Sequence, residues 1–166
     1  EEFDQVVICA GIQSRRLAAM VNDRVNIYPV KGYSITVNLE APADQAAAPR
    51  TSLLDDNAKI VTSRLGDNRF RVAGTAEING ANKDIVWNRI APMIKWCHTR
   101  FPDMSTENVI SWAGLRPMMP NMLPRVGKGR HPSIFLNTGH GHLGWTLSGA
   151  TAEIVSQAVI SEQAAS

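Results

Sequence analysis

The 166 residues, 44% of them hydrophobic and 19% charged, have the composition of a chain that buries a core and the length of one domain or one piece of a larger protein. A formal net charge of +2 argues against a nucleic-acid surface. No apolar run nears the roughly 18 residues that a transmembrane helix needs, and the acidic start Glu1-Glu2-Phe3-Asp4 reads as the approach to a strand, not as a signal peptide.

Val6 to Gly11 is the first strand, a β-branched run of the kind that parallel sheets bury on both faces. With no earlier strand for it to lie beside, the expectation is that the N-terminal part of the native protein is missing; the alternative is that it joins a sheet made later in the chain. Ser14 is placed to cap a short helix, Arg15 to Met20. Tyr33, Ile35, Val37 and Leu39 alternate with polar residues and predict a half-buried strand. Ala41 to Pro49 reads as an exposed loop. Lys59 to Leu65 and Arg69 to Thr75 flank Gly66-Asp67-Asn68 and predict a hairpin, with Phe70 and Val72 facing one way and Arg69 and Arg71 the other. Val86, Ile90, Met93 and Cys97 have helical spacing, with a kink or break expected at Pro92. Ser111 to Pro117 reads as a short strand. Residues 117–124 hold three prolines and predict no regular structure. Ile134 to Asn137 is a strand, and a last helix carries Leu147, Ala150, Ile154 and Ala158 as its apolar face. Cys9 and Cys97 lie in apolar patterns and are expected as buried free thiols in a reducing compartment. The middle of the chain, about residues 30 to 110, therefore looks like antiparallel strands plus helix. The two ends look like pieces of a different, parallel layer, and the fold class is α+β.

Gly139-His140-Gly141-His142-Leu143-Gly144 spells G-x-G-x-x-G between a strand and a helix. A dinucleotide fingerprint needs a second strand after that helix, and residues 161–166 provide none. The physics of the loop survives without it. Glycines let backbone approach a flat or anionic ligand, and the following helix turns free N–H groups and a positive dipole end toward it. A turn that only packs helix on strand is the alternative. Arg116, between Leu115 and Pro117 in an apolar surround, needs an anion: a ligand carboxylate gripped by its fork, or an internal salt bridge. His140 and His142 have no ligand cluster around them, so no metal is expected. His140 would pack at a ligand edge or support the loop. Trp87, Trp96 and Trp112 read as core residues, while Trp145 is kept open as a ligand contact.

Together, "VVICAG" at 6–11, "YPVKGYSITV" at 28–37, "TSRLGDNRFRVAGTAE" at 62–77, "WAGLRPMMPNMLPRVG" at 112–127 and "FLNTGHGHLGWTLSGA" at 135–150 resemble the C-terminal portion of the FAD-dependent D-amino-acid oxidase-like family. Within it, the bacterial D-amino-acid dehydrogenase small-subunit type is the nearest in look. The resemblance implies residues 1–28 as the end segment of an FAD-binding α/β domain, 29–117 as a mostly antiparallel substrate-binding domain, and 118–166 as the return to the FAD-binding domain with a C-terminal helix. It implies that Arg116 holds a substrate carboxylate and that Tyr33 faces the pocket. Gly11, Gly139, His140, Gly141, Gly144, Trp145 and Thr146 would lie against FAD. The implied reaction moves a hydride from the α carbon of a D-amino acid to FAD. The implied partners are a small amino-acid substrate, the missing N-terminal FAD-binding half and an electron acceptor at the membrane. The implied location is the cytoplasm, with peripheral attachment at the inner face of the membrane. FAD itself would be absent from a piece of this size. Two alternatives remain: a glycine- or sarcosine-type amine oxidase fragment, and a non-catalytic binding module without cofactor. One departure stands out. The family reads P-x-T-P-D-G-x-P after the arginine, and this chain reads Pro117-Met118-Met119-Pro120-Asn121-Met122-Leu123-Pro124, which puts the loop's conformation in question.

Overall fold

The computed structural model describes residues 2–165. The chain folds into two units: one comprises residues up to Val30 together with Arg116 onward, the other Lys31–Leu115. With mostly antiparallel sheets and, among the described residues, four α-helices, the fold is α+β.

The Lys31–Leu115 unit is built on a five-stranded sheet of order β3-β4-β5-β2-β6. Its strands are β2 (Tyr28–Asn38), β3 (Leu54–Asp55), β4 (Ile60–Arg64), β5 (Arg69–Ile78) and β6 (Val109–Met118). Tyr33, Ile35 and Val37 of β2 and Leu39 just after it are all at most 1% exposed and meet Phe70 and Val72 of β5 in one core. Burying each such side chain contributes about 1.5–3 kcal/mol. Helix α3 (Trp87–Arg100) closes this face with Ile90, Met93 and Cys97. It runs unbroken through Pro92, which sits on its exposed side, where solvent can take the carbonyl left without a donor. The hairpin forms as expected, with Gly66 at φ +69° and the Leu65 N–H bonded to the Arg69 carbonyl. Residues 42–47 are not loop but a short helix, α2 (Pro42–Ala47). Pro42 opens it, and the Asp44 carboxylate accepts the N–H of Ala41 and of Ser105. A run of alanines between prolines is good helix material once its first turn is held this way.

Strand β5 changes face partway. Phe70, Val72 and Gly74 point toward the core. Thr75 then takes φ +63°, a conformation that β-branched residues rarely adopt. The extra residue shifts the alternation by one, so Glu77, an odd position, reaches the core side. There its carboxylate accepts the Tyr33 hydroxyl at 2.6 Å and lies 3.1 Å from the Lys31 ammonium. Lys31 is fully buried and also donates to the Asp84 carbonyl and to Asn82, which ties the 79–86 segment to the sheet. The Tyr33 hydroxyl, then Lys31, hold Glu77 below the ordinary carboxylate range; Tyr33 and Glu77 raise Lys31. Glu77 therefore adds stability above the ordinary carboxylate pKa, lost as pH falls through its depressed value. Lys31's contribution is complete below the ordinary lysine pKa and is lost as pH rises through its raised one. Glu77→Gln is expected to lower the thermal midpoint by several degrees at neutral pH. That deficit should shrink below about pH 4, as the wild-type carboxylate protonates. A deficit independent of pH in scanning calorimetry would assign the effect to packing.

The other unit carries a three-stranded sheet of order β1-β8-β7, from β1 (Val6–Ile8), β7 (Arg125–Lys128) and β8 (Ile134–Thr138). β1 joins β8 in parallel, Val6 opposite Ile134 and Ile8 opposite Leu136; β7 runs antiparallel to β8. The first strand thus finds its partner late in the chain. It is an edge strand, and only Ile8 of its apolar run is buried. Cys9 is exposed rather than buried, whereas Cys97 is enclosed and its thiol is pushed up to about 12 by burial. Helix α1 (Ser14–Met20) packs Ala18 against Ile8, Val25, Ile27 and Leu136. The Asp23 carboxylate accepts the N–H of Arg24 and of Arg130; a Cβ at Gly129 would sit 2.7 Å from it. Helix α4 (Gly144–Ala165) lies on β7 and β8. Its packing face is Leu147, Thr151 and Val155, rotated from the expected stripe, with Ala150 and Ile154 exposed. Thr151 can be buried because its hydroxyl returns to the Leu147 carbonyl at 3.0 Å.

Candidate functional site

β1 and β8 are parallel neighbours, so their carboxyl ends lie on the same side of the sheet. Each end runs into a glycine-bearing loop and then a helix, and open sheets take ligands outside such ends. After β1, Gly11 has φ +55°, with nothing within 4 Å of where its Cβ would be. After β8, Gly139 has φ +80° and Gly141 φ +58°.

The two loops are bolted together by a pair of hydroxyls. Ser14 is fully buried, and its Oγ accepts the Ala10 N–H at 2.9 Å. Ser14 is thus not the N-cap of α1; it braces the loop before it. The Thr138 hydroxyl donates to Ser14 Oγ at 2.8 Å and lies 3.3 Å from the Gly11 carbonyl. Sequence reasoning missed Thr138. Its signal is a hydroxyl on the last strand residue, directly before Gly139.

The segment after Arg116 forms the floor of the second loop. The Pro117 carbonyl accepts the Gly141 N–H at 3.0 Å, and Met118 forms an antiparallel bridge with His140. A Cβ on Gly139 would lie 2.6 Å from Met119 Cγ, and one on Gly141 2.6 Å from Met118 Sδ. The glycines are therefore required twice, by their positive φ and by the methionines packed beneath them. The departure at residues 117–124 keeps its turn: the Met122 N–H bonds the Met119 carbonyl, and Asn121 Oδ1 accepts the Leu123 N–H. Met122 takes φ +62° and is 55% exposed. Met122→Gly should therefore stabilise the protein by roughly 0.5–1 kcal/mol, since relief of the left-handed conformation outweighs glycine's extra entropy. A higher urea midpoint at unchanged slope is the expected readout.

Above this floor α4 begins. The Gly144, Trp145 and Thr146 amides have no acceptor among the described residues, so the end of the helix offers three free donors. Trp145 is 93% exposed, whereas the His140 imidazole turns inward to Thr151 at 3.2 Å, and burial lowers its pKa. His140 is therefore neutral at pH 7. The structure thus gathers Gly11, Gly139, His140, Gly141, Gly144, Trp145 and Thr146 into two adjoining loops of one unit, and Arg116, half-buried, leads directly into their floor. Tyr33 belongs to the other unit, where its ring is in the core and its hydroxyl is engaged by Glu77. Trp96 alone of the four tryptophans packs on that core; Trp87 and Trp112 are exposed.

Gly11, Gly139 and the free amides at 144–146 suit the flat, partly anionic edge of a flavin: close backbone approach, donors without acceptors and no carboxylate in either loop. Among the described residues no helix is long and apolar enough to cross a membrane.

The chain is similar to known proteins along most of its length. A family described as FAD dependent oxidoreductase matches residues 1–158. The chain is 61% identical over 159 residues to D-amino acid dehydrogenase 3 of Mesorhizobium japonicum, covering 96% of this chain and 39% of that protein. It is 40% identical over 157 residues to a D-amino acid dehydrogenase of Rhizorhabdus wittichii, covering 94% and 37%. Among solved structures, glycine oxidase from Geobacillus kaustophilus superposes with a TM-score of 0.80 at 27% identity, over 93% of this chain and 41% of that one. Iminodiacetate oxidase from a Chelativorans species has the same fold, with a TM-score of 0.84 at 20% identity over 97% and 43%. The chain spans about two fifths of the length of these relatives.

Proposed function

The chain belongs to the family of FAD-dependent oxidoreductases, and from that premise we propose that it is part of an enzyme that oxidises a D-amino acid at its α carbon. What supports this reading is the pairing of two glycine loops at the ends of β1 and β8 with the Arg116 segment as their floor, in a chain 61% identical to a D-amino acid dehydrogenase. FAD, when bound, accepts the hydride that leaves the α carbon as the amine becomes an imine, which water then hydrolyses to the oxo acid and ammonia.

The chain's own residues do the holding. Gly11 and Gly139 let backbone come close to the cofactor, and the Ser14–Thr138 pair keeps the two loops in register. The free amides at the start of α4 would present partial positive charge to the bound cofactor and favour an anionic form of it. Arg116 grips the substrate carboxylate by its planar fork and so aims the α carbon, a contribution of position rather than of proton transfer. His140, neutral and turned to Thr151, supports the loop. We assign substrate contact to Arg116 and support of the sheet to Tyr33.

The test is anaerobic mixing of the full-length flavoprotein with D-alanine, L-alanine and glycine in turn, following the visible flavin bands. Bleaching by D-alanine alone is expected. Equal bleaching by glycine would favour a glycine-oxidase-like activity, and no bleaching by any of the three would overturn the reading.

A further inference from the structure

Half of the chain's 6 methionines, Met118, Met119 and Met122, fall in one short stretch. Exposure divides the six into three groups. Met20 and Met122 stand in solvent, 71% and 55% exposed, while Met93 and Met104 are sealed in the core at 2% and 3%. Met118 and Met119 lie between, half-buried. In that middle group a small oxidant can reach a thioether whose surroundings matter to the fold.

Both sulfurs sit where a side chain on a glycine would be. An ideal Cβ on Gly141 would fall 2.6 Å from Met118 Sδ and 3.3 Å from its Cε. One on Gly139 would fall 3.1 Å from Met119 Sδ. The loop is stitched down onto them, because the Gly141 N–H is bonded to the Pro117 carbonyl and Met118 bridges His140. Met119 also packs against the cluster of Ile8, Ala18, Val25, Ile27 and Leu136. It is thus wedged between a glycine loop and an apolar core. A sulfoxide adds an oxygen and a strong dipole to that wedge. The oxygen needs space and a hydrogen-bond donor, and the aliphatic side chains behind Met119 offer neither. The part that can yield is the loop.

We propose that Met118 and Met119 form a paired oxidation site, and that sulfoxide formation there pushes the 139–141 loop off its floor. A lone pair on the thioether sulfur attacks one oxygen of hydrogen peroxide. The S–O bond forms as the O–O bond breaks, and the departing hydroxide takes the proton of the transferred oxygen and leaves as water. The sulfur is oxidised by two electrons and the peroxide is reduced by two. Met20 and Met122 take the same modification without effect on the fold, since their side chains stand in solvent.

The test treats the full-length protein with hydrogen peroxide and locates each sulfoxide over time by tandem mass spectrometry of proteolytic peptides. Sulfoxide is expected first at Met20 and Met122, next at Met118 and Met119, and last at Met93 and Met104. The urea midpoint of the same samples should hold through the first phase and fall by about 0.5–1 M in the second. With Met118→Leu and Met119→Leu combined, and each sample compared with its own untreated protein, the second fall should be absent. With Met20→Leu and Met122→Leu combined it should persist. The time course of the unaltered protein gives the answer even where the first double variant does not fold. Sulfoxide forming at Met118 and Met119 no faster than at Met93 and Met104 overturns the proposal. So does its formation at an unchanged midpoint, or a midpoint that falls with Met20 and Met122 instead. Release of flavin should accompany the second phase, an expectation that rests on the FAD contacts proposed above. A fallen midpoint with flavin still bound would keep the oxidation site and overturn those contacts alone.

Discussion

Arg116→Ala in the full-length enzyme is expected to lower kcat/KM for D-alanine by two to three orders of magnitude, about 3–4 kcal/mol of lost transition-state binding. The reason is geometric. On the role proposed for Arg116, removing the fork would leave the substrate carboxylate without its paired donors and the α carbon no longer aimed. KM should rise and kcat should fall together. Arg116→Lys keeps the charge but loses the paired donors, and should recover only part of the rate. The Pro117 carbonyl and the side chains of Met118 and Met119, which pack beneath the glycines, are kept in this variant. Stopped-flow flavin reduction measures both constants. A variant with unchanged kcat/KM would remove Arg116 from the substrate site.

The second large effect is at Gly139. An alanine there would take φ +80° and place its Cβ 2.6 Å from Met119 Cγ. The left-handed conformation and the overpacking together should cost roughly 2–4 kcal/mol. A domain has only about 5–15 kcal/mol in total, so the variant should unfold at visibly lower urea. The same displacement moves the loop proposed above to hold FAD, so the full-length variant should purify with much less flavin. Gly144→Ala is the control. Its Cβ would lie 3.5 Å from the His140 Cβ, an ordinary contact, and its backbone has no positive φ. It should leave stability within about 0.5 kcal/mol. If Gly139→Ala matches the wild-type protein in urea midpoint and flavin content, a glycine at 139 is not required.

Much of the secondary structure could be read along the chain because burial there follows short periods. The alternation from Tyr33 to Leu39 and the helical spacing of Ile90, Met93 and Cys97 became the sheet and helix of the main core. The hairpin at 66–68 was legible because a turn needs a residue tolerant of positive φ, and Gly66 provides it. The misreadings have separate causes. Residues 42–47 form a helix with Asp44 bonded to Ser105. The packing face of α4 is centred on Thr151, a polar residue whose hydroxyl is satisfied within its own helix. Cys9 is exposed because β1 is an edge strand.

At the site, the sequence by itself determined the glycines, the arginine and their order, because positive-φ turns and a guanidinium in an apolar stretch leave a local mark. Only the tertiary structure decided that β1 would lie beside β8, more than a hundred residues later, and so bring the loop at Gly11 against the loop at Gly139. It also decided that Ser14 and Thr138 would join them, that Met118 and Met119 would fill the space of the missing Cβ atoms, and that Glu77 would cross to the core face to meet Lys31 and Tyr33. Strand pairing across such a span is fixed by the summed burial of many side chains, a quantity no short window of sequence contains.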